Sequence, residues 1–201
     1  MLQETLKQAT SNQHDYLEQL MFVDKIMNGT LSVKEYKQIL VTNYFVHNSL
    51  EKLLFESLDL DLQNELQINK RFKLPALAKD LQELNVDLPE INLNEKNAAI
   101  TQNSAAFLGA MYVLEGATLG GNVIVKKLKV NLNLQEYNLG FNYYQVYGAD
   151  LAANWKQFCQ VLNTKVAVND YEISIQSALK VFECFASAQQ EMISLQSISQ
   201  A

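Results

Sequence analysis

Residues 111–124, MYVLEGATLGGNVI, place three glycines inside an apolar segment that otherwise has helical character. The chain has only seven glycines, and Gly109, Gly116, Gly120 and Gly121 fall within thirteen positions. Each glycine in a helix interior costs about 1 kcal/mol relative to alanine. A cluster this dense therefore predicts a kink with bare backbone that a ligand approaches closely, or close packing of helices by small residues.

Composition limits the kinds of protein that the chain can be. Its 201 residues suffice for one substantial core and contain no linker, so we predict a single domain over 1–201. No continuous apolar run approaches the roughly 20 residues of a membrane span, and the N-terminus lacks a signal-peptide pattern. We therefore expect a cytoplasmic protein without a membrane partner. A net charge of −6 argues against nucleic acid as a partner.

The sequence pattern predicts a series of helices. Prolines occur only at positions 75 and 89, and the one alternating stretch, VNLNLQEYNL, lies between helical segments. The sequence thus predicts an all-α fold, with SVKE at 32–35 as a capping box. The predicted helices cover residues 2–27, 32–54, 75–83, 97–129, 148–166 and 170–196, and LPEINLNEKN at 88–97 is predicted to be a loop.

Few side chains offer catalytic chemistry. Lys7, His14 and Glu18 share a face of the first predicted helix, where Glu18 could accept a hydrogen bond from the His14 ring and orient it as a metal ligand. On that spacing alone, an ordinary helix-surface pair is the more common arrangement. His47 is predicted to be a hydrogen-bonded core histidine. Two cysteines without metal-ligand spacing, Cys159 and Cys184, are predicted to be core residues.

Two separated segments carry a family resemblance. They are LKQATSNQHDYLEQLMF at 6–22 and YVLEGATLGG at 112–121, supported by matches at 36–51, 74–84 and 147–162. The first resembles the proximal helix, and the second the distal helix, of the biliverdin-producing haem (heme) oxygenase family of the soluble bacterial kind. The resemblance implies a multi-helix bundle in which haem is sandwiched between a proximal helix and a kinked, glycine-rich distal helix.

The resemblance also implies roles for residues on both helices. His14 would ligate the haem iron, and Glu18 would support its ring. The backbone of Gly116, Gly120 and Gly121 would flank the bound oxygen and hold the haem edge. These positions all match the family's motif.

Other positions match the family only in part. Lys7 and Lys156 match basic contacts of the haem propionates, whereas Ser11 and Gln160 replace further basic residues of mammalian-type relatives. Ala117 replaces the aspartate that organises the distal water network in many members.

His47 matches a position from which the family often supplies a tyrosine to the distal network. It is therefore a candidate for organising water there in place of the missing aspartate.

The resemblance also implies that haem is both substrate and cofactor. Its products would be biliverdin, iron and carbon monoxide. A non-degrading haem carrier or sensor of the same fold is the alternative, and Ala117 favours it. A haem-free thiamin-degrading enzyme would need a cysteine nucleophile.

Oxygen and external electrons are the remaining requirements of such an oxygenase. The chain has no flavin or nicotinamide fingerprint, so electrons would come from a ferredoxin, a flavodoxin or a reductase. Lys126, Lys127 and Lys129 form a basic cluster that could meet an acidic donor, although a solvated helix face also explains it. A homodimer is compatible with the sequence.

Overall fold

The structure, a computed structural model, describes residues 1–88 and 100–198, with side chains up to residue 194. All regular elements in these ranges are helical, which confirms the predicted all-α class. Most of the predicted loop at 88–97 lies outside the described residues. The helices are α1 (Leu2–Ala9), α2 (Ser11–Leu20), α3 (Val23–Asn28), α4 (Val33–Ser57), α5 (Leu60–Leu66), α6 (Leu74–Glu83), α7 (Ser104–Gly116), α8 (Gly121–Lys129), α9 (Leu151–Lys165) and α10 (Tyr171–Ile198).

The predicted first helix over 2–27 is three helices, so that prediction was wrong. At Thr10 the hydroxyl donates a 2.8 Å hydrogen bond to the Leu6 carbonyl, and the backbone leaves helical geometry at φ −106° and ψ 5°. At Phe22 the backbone is left-handed, with φ 56°. Because α1 and α2 are separate helices, the spacing of seven between Lys7 and His14 no longer places them on one face.

The second helix begins as predicted. The Ser32 hydroxyl accepts from the Glu35 backbone N–H at 3.2 Å, and the Glu35 carboxylate accepts from the Ser32 N–H at 2.9 Å. This capping box satisfies N–H groups that the first turn leaves unpaired, and α4 then runs for 25 residues. The short helix α5, which follows it, was not predicted from the sequence.

The glycine-rich segment is kinked as predicted, but its helix begins later than residue 97. Asn103 caps α7, since its side-chain oxygen accepts from the Ala105 N–H at 2.7 Å. Between α7 and α8 the Leu119 N–H donates to the Gly116 carbonyl and the Gly121 N–H donates to the Thr118 carbonyl, at 3.0 and 2.9 Å. These bonds to the third preceding residue tighten the turn that separates the two helices.

The predicted bounds of the last two helices agree with the observed bounds to within a few residues. A turn of 3-10 helix, Gly148–Asp150, precedes α9, and another, Val168–Asp170, precedes α10. Helix α10 packs along α7, and it also contacts α2 and α4. It is therefore the common support of the two segments in which the sequence places the candidate site.

Helices α7 and α8 together, Ser104–Lys129, form a stretch that is long and apolar enough to cross a membrane by length and composition alone. It was not predicted from the sequence, because no uninterrupted apolar run of that length marks it. In the structure 56% of the most apolar window of this stretch is buried inside the protein. That burial is what the central helix of a packed core shows.

Candidate functional site

His14 lies on the surface of α2 with its imidazole accessible. Its side chain is 58% exposed, and its ring packs edge-on against Phe182 of α10 at a centroid distance of 6.3 Å. Among the described residues, none forms a hydrogen bond with the His14 Nε2. A neutral imidazole with one accessible nitrogen is the form that binds a metal ion.

The carboxylates beside His14 do not form the expected hydrogen bond. Glu18 Oε1 lies 3.9 Å from the His14 Nδ1, and Asp15 Oδ1 lies 3.8 Å from the same atom. Both distances exceed hydrogen-bond length, so the predicted His14–Glu18 hydrogen bond is absent from this structure. Glu18 and Asp15 nevertheless place two negative charges next to the ring.

The four clustered glycines have two different structural roles. A Cβ built on Gly109 would lie 2.2 Å from the Ser174 carbonyl oxygen of α10, and one on Gly121 would lie 2.2 Å from the Tyr144 carbonyl oxygen. These two glycines permit close backbone packing. A Cβ on Gly116 would meet nothing within 4 Å, and one on Gly120 would meet only the Ile124 side chain at 3.5 Å. Helix packing therefore does not explain why glycine stands at 116 and 120.

This difference predicts opposite effects of alanine on stability. Gly121→Ala should lower the free energy of unfolding by about 1–3 kcal/mol, because the Tyr144 backbone must move. Gly116→Ala should leave the free energy of unfolding unchanged or raise it by up to about 1 kcal/mol, because alanine has the higher helix propensity. Urea denaturation of the two haem-free variants, followed by circular dichroism, measures both. Similar losses in the two variants would contradict the division.

The two candidate propionate contacts, Lys7 and Lys156, are exposed side chains on α1 and α9. These helices are neighbours, because the Gln3 backbone N–H at the start of α1 donates a 3.0 Å hydrogen bond to Asn163 Oδ1 on α9. Both lysines are thus available to anions at the surface. Their role toward a propionate stays a prediction.

His47 is a core histidine with both ring nitrogens close to protein partners. Its Nδ1 lies 2.8 Å from Glu51 Oε1, and its Nε2 lies 3.1 Å from the Tyr143 hydroxyl. Burial lowers the pKa of His47 more than the Glu51 carboxylate raises it, so the ring is neutral at neutral pH. Its side chain has no exposed surface, and it therefore does not line the open space beside Gly116 and Gly120.

A buried ion cluster that the sequence analysis missed lies directly next to Gly116. Glu115 Oε2 accepts from Arg71 at 2.5 Å, and Glu115 Oε1 accepts from the Lys73 ammonium at 2.7 Å. The Tyr147 hydroxyl lies 2.9 and 2.8 Å from the two carboxylate oxygens. Arg71, Lys73 and Glu115 are each at most 2% exposed.

The charge state of the cluster follows from its contacts. Burial alone would raise the pKa of Glu115, but the charges of Lys73 and Arg71 and the hydrogen bonds from Lys73 and Tyr147 outweigh it and hold the pKa below its usual value. Glu115 is therefore an anion between two cations. Burial and the Glu115 carboxylate together raise the pKa of Tyr147, which keeps its hydroxyl protonated.

Both cysteines are buried in the core, as predicted. Burial raises the pKa of the Cys159 thiol to about 12 and that of the Cys184 thiol to about 11. Neither residue is a thiolate at neutral pH, and only the thiolate is a good nucleophile. These pKa values argue against the thiamin-degrading alternative.

The arrangement defines an all-α protein with an accessible histidine on one helix and bare glycine backbone on another, both helices being supported by α10. The residues fit a flat, iron-containing ligand such as haem, because His14 offers a nitrogen and Gly116 and Gly120 leave space that side chains would fill. Comparison with known proteins agrees with this class.

A sequence model of the family described as "Heme oxygenase" matches residues 1–191, and the chain belongs to that family. A curated relative, heme oxygenase 2 from Oryctolagus cuniculus, is 25% identical over 199 residues; the match covers 90% of this chain but only 63% of that protein. The resemblance to the family noted in the sequence is confirmed.

Solved structures share the fold. A heme oxygenase from Leptospira interrogans has a TM-score of 0.78 at 21% identity, covering 94% of this chain and 98% of that one. A heme oxygenase-1 from Synechocystis, solved in complex with heme, has a TM-score of 0.75 at 19% identity, covering 98% and 96%. The NO- and CO-bound heme oxygenase from Neisseria meningitidis has a TM-score of 0.74 at 18% identity, covering 96% and 92%.

Proposed function

We propose that the protein is a heme oxygenase that binds haem at His14 and cleaves it with O2 and external electrons, releasing biliverdin, iron and carbon monoxide. The proposal rests on one observation. In a member of this family, the His14 side chain is accessible, and the backbone at Gly116 and Gly120 has space beside it. Bound haem supplies the iron that activates oxygen. The protein's own part is to ligate that iron, to orient the ring and to leave room beside one of its edges.

The proximal side would supply a neutral ligand. His14 would hold the iron through Nε2, while Glu18 and Asp15 lie near Nδ1. An imidazole donates less electron density to iron than a thiolate does, so it does not force the O–O bond to break early. This property suits a reaction in which oxygen is transferred to the ring of the haem itself.

The distal side would act through backbone rather than through side chains. No side chain projects from Gly116 or Gly120, and Ala117 offers only a methyl group where many relatives have an aspartate. The helix backbone could therefore lie close to one face of a bound haem and limit the space open to a small molecule there. Proton supply then depends on water held by groups other than residue 117.

External electrons would enter through a docked donor protein. Lys126, Lys127 and Lys129 are exposed at the end of α8, and exposed Val123 and Val130 flank them. A basic patch with an apolar rim suits an acidic ferredoxin or flavodoxin, or the acidic face of a reductase. Both the donor and a cytoplasmic location stay predictions, and so does a homodimer.

The second candidate function is a haem carrier or sensor that does not degrade its ligand, and Ala117 is the observation that favours it. The two functions differ in the fate of bound haem after reduction. Haemin added to the purified protein, followed by a reductant in the presence of catalase, should give a Soret band that disappears as biliverdin absorption grows. A stable Soret band would favour the carrier, and failure to bind haemin would overturn both.

His47 is expected to act through its neighbours, because its ring has no exposed surface. His47→Phe removes the contacts with Glu51 and Tyr143. We expect it to slow turnover about 10-fold and to shift the pH at which haem-bound water loses a proton, since general acid–base groups contribute on the order of 100-fold when they act directly. Unchanged turnover together with an unchanged water transition would show that His47 has only a packing role.

A further inference from the structure

The buried cluster around Glu115 joins the distal helix to the histidine on α4. The Lys73 ammonium donates to Glu115, while the Lys73 backbone N–H donates to Glu51 Oε1 at 2.8 Å. That same oxygen lies 2.8 Å from the His47 Nδ1. A continuous series of hydrogen-bonded groups therefore runs from His47 through Glu51 and Lys73 to the residue that precedes Gly116.

Stability alone does not account for this cluster. Desolvation of several buried charges costs several kcal/mol per ion, and apolar residues of similar volume are often equally stable or more stable in such places. Glu115 interrupts an otherwise apolar run on the helix that supplies the open glycine backbone. The position of the charges next to that backbone suggests a use in the site itself.

The charges of the cluster sum to zero. Arg71 and Lys73 are cations, Glu51 and Glu115 are anions, and His47 is neutral. Among the described residues, Tyr143, Tyr147 and Cys159 also face the cluster, and each stays protonated because burial raises its pKa. Neutralising any one charged group would therefore leave one uncompensated buried charge beside the distal helix.

We infer that Glu115, balanced by Lys73, is a positioning residue that sets the electrostatic potential on the distal side of bound haem, where Ala117 supplies no carboxylate. The inference rests on the proposed function, because it requires haem beside Gly116 and Gly120. Glu115 acts across the width of its own helix, a distance of about 10 Å. It touches neither haem nor oxygen.

The sign of its effect follows from Coulomb's law. Glu115→Gln keeps the shape of the side chain but leaves a net charge of +1 in the cluster, which favours hydroxide over water at the ferric iron. The pH midpoint of the water-to-hydroxide transition should fall by about one pH unit, as expected for one charge at roughly 10 Å with an effective dielectric constant near 20. Lys73→Met leaves a net charge of −1, and the midpoint should rise by a similar amount.

The experiment is a pH titration of the ferric haem complex, followed by its visible spectrum. It compares the wild type, Glu115→Gln, Lys73→Met, the double variant and, as a control, Glu136→Gln at an exposed site. Circular dichroism shows which variants fold. Opposite shifts in the two single variants, a midpoint near that of the wild type in the double variant and no shift in the control are expected.

Structural damage would give a different pattern. Shifts of the same sign in both single variants, or no shift in either, would overturn the inference while leaving the proposed function intact. If one single variant does not fold, the double variant, whose cluster is again neutral, must match the wild type, and a displaced midpoint there overturns the inference. Failure of the wild type to bind haemin would overturn the proposed function and this inference together.

Discussion

Haem bound to a Gly120→Leu variant is expected to be degraded about 100-fold more slowly than in the wild type, while its affinity changes less than 10-fold. A Cβ at Gly120 would meet only the Ile124 side chain, at an ordinary contact distance of 3.5 Å, so the backbone leaves room for a side chain there. The leucine would occupy the space in which oxygen must bend toward the ring, and misplacement of a reacting atom by about 1 Å typically costs about 100-fold in rate. Haemin titration gives the affinity, and loss of the Soret band after reduction gives the rate.

A matched control places the same bulk on the exposed face of the next helix. Asn122→Leu on α8 should leave both the affinity and the rate of degradation close to those of the wild type. Equal losses of affinity and rate in Gly120→Leu would show that the glycine only makes room for haem. In that case the backbone of the distal helix would have no part in directing oxygen.

Removal of the Glu115 carboxylate is expected to destabilise the haem-free protein strongly. Glu115→Ala leaves Arg71 and Lys73 buried without a counterion, and breaking a buried pair in this way typically costs about 3–5 kcal/mol. The exposed pair of Glu65 with Lys165, 2.8 Å apart, provides the control, and Glu65→Ala should cost no more than about 1 kcal/mol. Urea denaturation of both variants measures the two losses of unfolding free energy.

Glu115 also predicts a dependence of stability on pH. Because its pKa in the folded protein lies below the ordinary value of 4.5, its contribution to stability is fully present above that pH and is lost as the pH falls through the lower, folded value. Glu115→Ala should therefore differ most from the wild type at neutral pH. A loss of less than about 0.5 kcal/mol at pH 7 would mean that the two cations find other partners or water.

The sequence predicted those parts of the fold that depend on local signals. The capping box at Ser32 and Glu35 fixes the start of α4 through bonds within one turn, and the glycine cluster predicts a break that the structure contains. The break at Thr10 was missed, because a threonine can also occupy a regular helix and its bond to the Leu6 carbonyl gives no sequence signal.

The candidate site was predictable only in part. Motif positions predicted His14 and the glycines as candidates, but sequence could not show which glycines face a neighbouring backbone. That distinction depends on Ser174 and Tyr144, which are distant in the chain. The cluster around Glu115 had one readable signal, a carboxylate inside an apolar helix that must find a cation. Its partners lie 42 and 44 residues away, so only the structure could name them.

Haemin titration of the wild type and of His14→Ala tests whether this histidine holds the haem iron. We expect a saturable Soret change in the wild type that is weakened and displaced in His14→Ala and is restored by added imidazole, which replaces the missing ligand. If His14→Ala bound haemin with the spectrum and affinity of the wild type, the histidine would not be the ligand, and the site proposed for this protein would be wrong.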